Sequence, residues 1–146
     1  MSVDVGATIV IERPIAEVSA FAGDPSNAPI WYRRISNAEW ETDPPISLGS
    51  RIAFRARFMG RDLDYVYEVT EYTPGEQVAM RTTEGPFPMA TTSTWRPIGP
   101  GKTHMTLRNH GEPSGFSRLA APLVARAMRR AMNQDLADLK QLLESG

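Results

Sequence analysis

The amino-acid sequence predicts an α+β fold, in which a curved antiparallel sheet of about six to seven strands wraps around a long C-terminal helix. Two observations lead to this fold class. Apolar residues recur at steps of three and four positions through the C-terminal stretch, as in an amphipathic helix. Before that stretch, short segments alternate between apolar and polar residues and are separated by turns rich in glycine and proline, as in half-buried strands.

The first third of the chain predicts one strand followed by two short helices. Residues 3–13 alternate, and Pro14 then ends the strand and can begin a helix that reaches Gly23. The segment Asp24-Pro25-Ser26-Asn27 predicts a turn, and a second short helix is expected over residues 28–35. Two short helices directly after one strand form a corner and not a crossover, because every segment that follows them is strand-like.

The strands of the central region are expected to pair antiparallel because the turns between them are short. They are predicted in residues 37–42, 51–59, 63–70, 78–82, 91–95 and 103–109. Ser114 is a plausible helix cap, and Phe116 and Leu119 begin the apolar stripe of the last helix. Pro122 suits a first turn, so the helix is predicted over residues 121–144 and would be about 35 Å long.

Composition excludes several classes of function. The 146 residues suffice for one domain with a core, spanning residues 1–146, and 16 Lys+Arg balance 17 Asp+Glu, which argues against a nucleic-acid partner. The chain has no cysteine and two histidines, His104 and His110, so no metal site and no cofactor are expected. No apolar run approaches a membrane span and no signal pattern is present, so a cytoplasmic protein without membrane insertion is expected.

The residues predicted to face the helix are unusual for a tightly packed core. Large aromatic residues and methionines alternate inward together with hydroxyl and amide side chains, which suits a partly open cavity with a few polar groups. Ala56, Ala127 and Ala131 would leave room. The alternative is a solid core in which the aromatic rings fill the space and the hydroxyls bond locally, and the residues themselves leave both possibilities open.

A family resemblance adds to this interpretation. The opening IVIERPIAEVSAFAGDPSNAPIWYRRI, the central VTEYTPGEQVAMRT and the ending KTHMTLRNHGEPSGFSRLAAPLVARAMRRAMNQDLADLKQLLE resemble the START-like (SRPBCC) superfamily, and more narrowly its polyketide cyclase/dehydrase branch. The matching motifs are structural and cover nearly the whole chain. The resemblance implies the helix-grip fold and a deep cavity for lipids, sterols, polyketides, quinones or hormone-like molecules.

The predicted function is therefore binding of a small lipophilic ligand, with a polyketide cyclase/dehydratase and a protein-interaction module as alternatives. The residues expected to contact the ligand are Trp31, Phe54, Phe58, Tyr65, Tyr67, Met80, Trp95, Met105, Asn109, Leu123 and Ala127. No catalytic residue is assigned. If the chain is an enzyme, Tyr65, Tyr67 and Asn109 would polarise the carbonyl groups of the substrate. A homodimer is compatible with the sequence.

The other charged residues are interpreted mainly as surface groups. Asp62, Asp64 and Glu68 are expected to form solvated ion pairs on the outer face of the sheet. Both histidines are predicted to point outward, with His110 near the cavity mouth. Arg33 and Arg34 are expected at a solvated helix end, with contact to an anionic ligand at the entrance as the alternative. The basic segment around residues 126–132 could touch anionic lipid, but the acidic residues that follow argue against this.

Overall fold

The computed structural model describes residues 2–112 and 120–145. Strand β1 (Val3–Ile11) leads into helix α1 (Ile15–Ala22), a 3-10 turn (Pro25–Asn27) and the short helix α2 (Ala28–Trp31). The strands that follow are β2 (Ile35–Trp40), β3 (Arg51–Phe58), β4 (Arg61–Thr73), β5 (Gln77–Glu84), β6 (Met89–Pro97) and β7 (Thr103–Gly111), and the chain continues into helix α3 (Ala121–Ser145).

The strands form one seven-stranded antiparallel sheet in the order β1-β7-β6-β5-β4-β3-β2. The predicted α+β fold is confirmed, since the curled sheet holds the long C-terminal helix as the helix-grip fold requires. Helix α3 begins at the predicted residue and ends one residue later than predicted. The expected cap and the first apolar residues of its stripe, Ser114, Phe116 and Leu119, lie outside the described residues.

The second short helix is shorter than predicted. It ends at Trp31, and Ile35 already begins β2. Ile30 is 60% exposed, so the apolar residues in this segment do not mark a longer helical face. The hairpin between β3 and β4 turns at Met59 and Gly60, which both have positive φ, as a two-residue turn of this handedness requires.

The C-terminal half of α3 is fixed to β1 by packing and by hydrogen bonds. Leu136 and Leu139 are almost fully buried in the main apolar cluster. At the edge of this contact the Lys140 Nζ donates to the Val10 carbonyl oxygen at 2.8 Å, and the Glu12 backbone N–H donates to the Glu144 carboxylate at 2.8 Å. This half of the helix is therefore tightly seated, and the space under the fold lies beneath its first half.

Candidate ligand cavity

The inner face of the sheet and the first half of α3 do not meet everywhere, and they enclose a cavity of about 190 Å³. Its wall is mainly apolar, and most of its residues come from α2, from strands β3 to β7 and from α3. The principal apolar lining residues are Ala28, Phe54, Ala56, Phe58, Leu63, Val78, Met80, Phe87, Met89, Val124, Met128, Ala131 and Met132.

The strand register explains the aromatic part of this wall. Phe54 on β3 is paired with Tyr65 on β4, and alternation places Tyr67 on the same inner face. The rings of Phe54 and Tyr65 are 5.6 Å apart, and those of Tyr65 and Tyr67 are 5.0 Å apart in an edge-to-face arrangement. The neighbouring inward residue Ala56 is small, so the space remains open beside these rings.

A row of polar groups crosses the inner face of the sheet. The hydroxyl groups of Tyr67 and Thr91 are hydrogen-bonded at 2.8 Å, and Thr91 is paired with Asn109 on the adjacent strand. Asn109 lines the cavity, and its Oδ1 is buried without a hydrogen-bond partner among residues 2–112 and 120–145. Because a buried amide oxygen normally accepts a hydrogen bond, a ligand donor would satisfy it.

The tyrosine hydroxyls in this wall stay protonated. Burial raises the pKa of Tyr67 to about 12, an effect that its hydrogen bond to Thr91 partly opposes. Burial, with smaller contributions from Tyr67 and Tyr32, raises the pKa of Tyr65 well above its ordinary value. Tyr32, which also lines the cavity, has its pKa raised by burial and by the nearby charge of Asp135. These groups can donate hydrogen bonds but do not act as bases near neutral pH.

Two charged side chains reach the cavity where α2 meets α3. Asp135 is 5% exposed, and its Oδ1 accepts the backbone N–H of Arg33 at 3.0 Å. Burial raises the pKa of Asp135 to about 6, although that hydrogen bond and the charge of Arg34 oppose the shift. Arg34 lines the same cavity, and its Nη2 donates to the Gln134 Oε1 at 3.1 Å.

The structure brings six of the eleven predicted ligand contacts together at the cavity wall, which are Phe54, Phe58, Tyr65, Tyr67, Met80 and Asn109. Trp31, Trp95 and Met105 are buried as expected, but they are packed within the apolar cluster and do not line the cavity. Trp95 and Met105 are paired across β6 and β7, and the Trp95 ring approaches Gly23 at the end of α1. At this end of the sheet, α1 packs in the space that the sequence analysis had assigned to the ligand cavity.

The two predicted contacts from α3 are displaced from the cavity by the rotation of the helix. Leu123 is 62% exposed, and Ala127 is half-buried outside the wall. The helix instead turns Val124, Met128 and Ala131 toward the cavity. The predicted positions each precede a lining residue by one, and one residue rotates a helix by about 100°.

Sequence reasoning did not select Tyr32, Met128, Met132 or Asp135 as cavity residues. The sequence did indicate that Asp135 is buried. It follows Met132 by three positions and precedes Leu139 by four, so it lies on the apolar face of α3. A carboxylate in that stripe must be buried or must distort the packing. Tyr32 gave no such signal, since its neighbour Trp31 was an equally good candidate and the two rings stack at 3.9 Å.

The interpretation of the outer-face carboxylates is confirmed for Asp62 and Asp64. Asp64 pairs with Arg55 and Asp62 pairs with Arg57, each at 2.8 Å and well exposed. His110 is exposed and borders the cavity. Within the described ranges, no group of three metal-ligating side chains comes together. No helix of the described residues is long and apolar enough to cross a membrane.

Comparison with known proteins agrees with this geometry. Residues 2–144 match the family model described as polyketide cyclase/dehydrase and lipid transport. The chain belongs to this family. No curated protein matches it. The match to the polyketide cyclase/dehydrase and lipid transport family extends over nearly the full length of the chain, which agrees with the START-like resemblance of the sequence.

Solved structures support the same fold. A START superfamily protein from Mycobacterium smegmatis is similar with a TM-score of 0.83 and 14% identity, covering 97% of each chain. The Zhui aromatase/cyclase from Streptomyces sp. R1128 is similar with a TM-score of 0.80 and 12% identity, covering 99% of this chain and 94% of the other. A protein from Thermus thermophilus has a TM-score of 0.83 and 21% identity, covering 98% of this chain and 99% of the other. At these identities the likeness concerns the fold.

Proposed function

We propose that this protein binds a small lipophilic molecule in the cavity between its sheet and α3. The observation that carries the proposal is the mainly apolar cavity of about 190 Å³ beneath the first half of the helix. Concave apolar sites with a few convergent polar groups are the usual form of small-molecule sites. The lipid transport named in the family description adds support. The alternative of a protein-interaction module has less support, because the absence of a ligand-sized cavity would have favoured it and the structure has a cavity of about 190 Å³.

The size of the cavity limits the ligand. An apolar cavity of about 150 Å³ in a protein core binds benzene. The space here, about 190 Å³, favours a compact body of one or two rings unless the wall moves on binding. Half-buried Phe58, Phe87 and Met128 in the wall are the side chains with most freedom to rearrange.

The proposal can be tested by a substitution on α3 that fills the cavity with a larger side chain. Ala131 is buried and lines the cavity, so Ala131→Phe places a ring in the proposed ligand space. With naphthalene-2-carboxamide as a neutral two-ring probe, calorimetric titration should show binding to the wild type and at least about tenfold weaker binding to the variant, since the loss of about 1.4 kcal/mol suffices for this change. Native mass spectrometry of protein purified from its own host would identify a natural ligand.

Ala137→Phe is the matched control, because Ala137 lies on α3 but is exposed and away from this cavity. It should bind the probe as the wild type does. Equal affinity for all three proteins would show that the probe binds elsewhere, and the absence of binding to the wild type would count against the proposed function.

The second candidate is a polyketide cyclase/dehydratase, and the arrangement of Tyr65 favours it. Tyr65 lines the cavity, and within the described residues its hydroxyl has no hydrogen-bond partner, in contrast to that of Tyr67. Because its raised pKa keeps it protonated, this hydroxyl could polarise a carbonyl group whose charge grows in the transition state. Cyclisation would otherwise need mainly the folding of a flexible chain into a reactive pose.

Phenylalanine variants separate this candidate from simple binding. If the chain is a cyclase, Tyr65→Phe should lower kcat on a short poly-β-ketone by about 100-fold or more while leaving its binding within about twofold. Tyr67→Phe should have the smaller effect, since the hydroxyl of Tyr67 is already engaged by Thr91. Product formation at equal rates by the wild type and both variants would exclude these hydroxyls from the reaction.

A further inference from the structure

We propose that the ligand carries a carboxylate and that Arg34 binds it, so that the ligand class is a compact lipophilic acid. This inference rests on the proposed binding function and adds the chemical group that orients the ligand. It starts from the position of Arg34, which follows α2, precedes β2 and lines the cavity.

The guanidinium of Arg34 is incompletely paired. Its Nη2 has the neutral Gln134 Oε1 as a partner, whereas its Nη1 is buried and has no hydrogen-bond partner in the part of the chain that the structure describes. An arginine side chain keeps its charge in proteins and is costly to bury without a counter-charge. A carboxylate accepts two parallel hydrogen bonds from a guanidinium, so it is the ligand group that best satisfies this side chain.

The adjacent Arg33 shows the contrast. Its Nε and Nη2 donate to both carboxylate oxygens of Asp138, at 2.6 and 3.0 Å, and its side chain is half-exposed. Arg33 does not line the cavity. Two consecutive arginines therefore differ. Arg33 has a bidentate carboxylate partner within the protein, whereas Arg34 lines the cavity and has one buried N–H donor group without a partner among the described residues.

The carboxylate of Asp135 does not take this place. Its Oδ1 accepts the Arg33 backbone N–H, and although its charge interacts with that of Arg34, no hydrogen bond joins Asp135 to the Arg34 Nη1 among the described residues. Asp135 lowers the net positive charge at this end of the cavity without satisfying the Arg34 Nη1. Tyr32 and Tyr65 line the same cavity, and both hydroxyls stay protonated and can donate a hydrogen bond to a ligand oxygen.

A pair of nearly isosteric probes tests the inference. Naphthalene-2-carboxylate and naphthalene-2-carboxamide differ mainly in charge, and calorimetric titration at a pH of about 7.5, where the carboxylate is ionised, gives the affinity of each. The wild type should bind the carboxylate at least about tenfold more tightly, because a hydrogen bond to a charged partner is worth more than one to a neutral partner. In Arg34→Gln this preference should disappear while the carboxamide still binds.

Arg33→Gln is the matched control, since it removes the neighbouring charge from the surface and leaves the cavity unchanged. It should retain the preference for the carboxylate. Equal affinities of the wild type for the two probes, or a preference that survives Arg34→Gln, would overturn the inference and leave the proposed binding function standing. If neither probe binds the wild type, the proposed function itself fails.

Discussion

Asp135 is a buried residue whose ionisation affects the stability of the fold. It lies on α3 among apolar neighbours, is 5% exposed and lines the cavity. One hydrogen bond from the Arg33 backbone and the charge of Arg34 do not offset its lost hydration, so its pKa rises from 3.8 to about 6. At a pH between these two values, the Asp135 carboxyl is protonated in the folded protein and ionised in the unfolded chain.

This shift gives a pH-dependent prediction. Because the folded state binds more protons in this window, the free energy of unfolding should decrease as the pH rises from about 4 to about 7 through the contribution of Asp135. Asp135→Asn removes that contribution and keeps an oxygen that can accept the Arg33 N–H. Urea unfolding measures the free energy of unfolding of both proteins. The value for the variant minus that for the wild type should increase by up to about 3 kcal/mol between a pH of about 4 and a pH of about 8.

Asp138→Asn is a control variant, because its stability relative to the wild type should change with pH in the opposite direction. The hydrogen bonds from Arg33 lower the pKa of Asp138, so its charged form stabilises the folded protein, and this contribution is lost as the pH falls. The Asp138→Asn variant should therefore lose stability relative to the wild type as the pH rises toward about 4, and between about 4 and about 8 its difference from the wild type should stay constant. A difference between Asp135→Asn and the wild type that is constant with pH would contradict the account of Asp135.

At the same scale, Arg33 and Arg34 show where sequence reasoning stops. The sequence places both at the end of a short helix, and both alternatives considered for them, solvent and an anionic ligand, apply equally to each. The chain direction between α2 and β2 decides that Arg33 meets Asp138 and that Arg34 enters the cavity. That direction depends on contacts with α3, about a hundred residues away in the sequence.

At the scale of elements, the strands were easier to predict than the helix orientation. A strand has two faces, so alternation leaves two choices, and the polar face of β3 excludes one of them. Phe54, Tyr65 and Tyr67 consequently face the cavity as expected. The apolar stripe of a helix is more than about 100° wide, so the helix can turn about its axis by the angle of one residue and still bury most of the stripe. For this reason the sequence predicted Leu123 at the cavity, where the structure has Val124.

At the scale of the whole molecule, the fold has a solid end and a hollow end. The C-terminal half of α3, with α1, β1 and β7, forms a packed cluster that includes Val18, Met105 and Leu139. The first half of α3 spans the cavity. The sequence has the composition of a cavity wall, but it does not show where the cavity ends. Trp95 and Met105 have the same inward alternation as Met80, yet they are buried in the packed cluster and do not line the cavity.

This division predicts that similar truncations on α3 have unequal costs. Leu139→Ala opens a new void in the packed cluster, where Leu139 is fully buried, and should lower the free energy of unfolding by about 3–5 kcal/mol.

Met128 is half-buried and already borders the cavity, so Met128→Ala enlarges an existing space and should cost about 1 kcal/mol or less. Urea unfolding of the two variants without added ligand measures the difference. Equal costs would show that the cavity is filled by rearrangement of its own wall when no ligand is bound, since Met128 would then pack as tightly as Leu139.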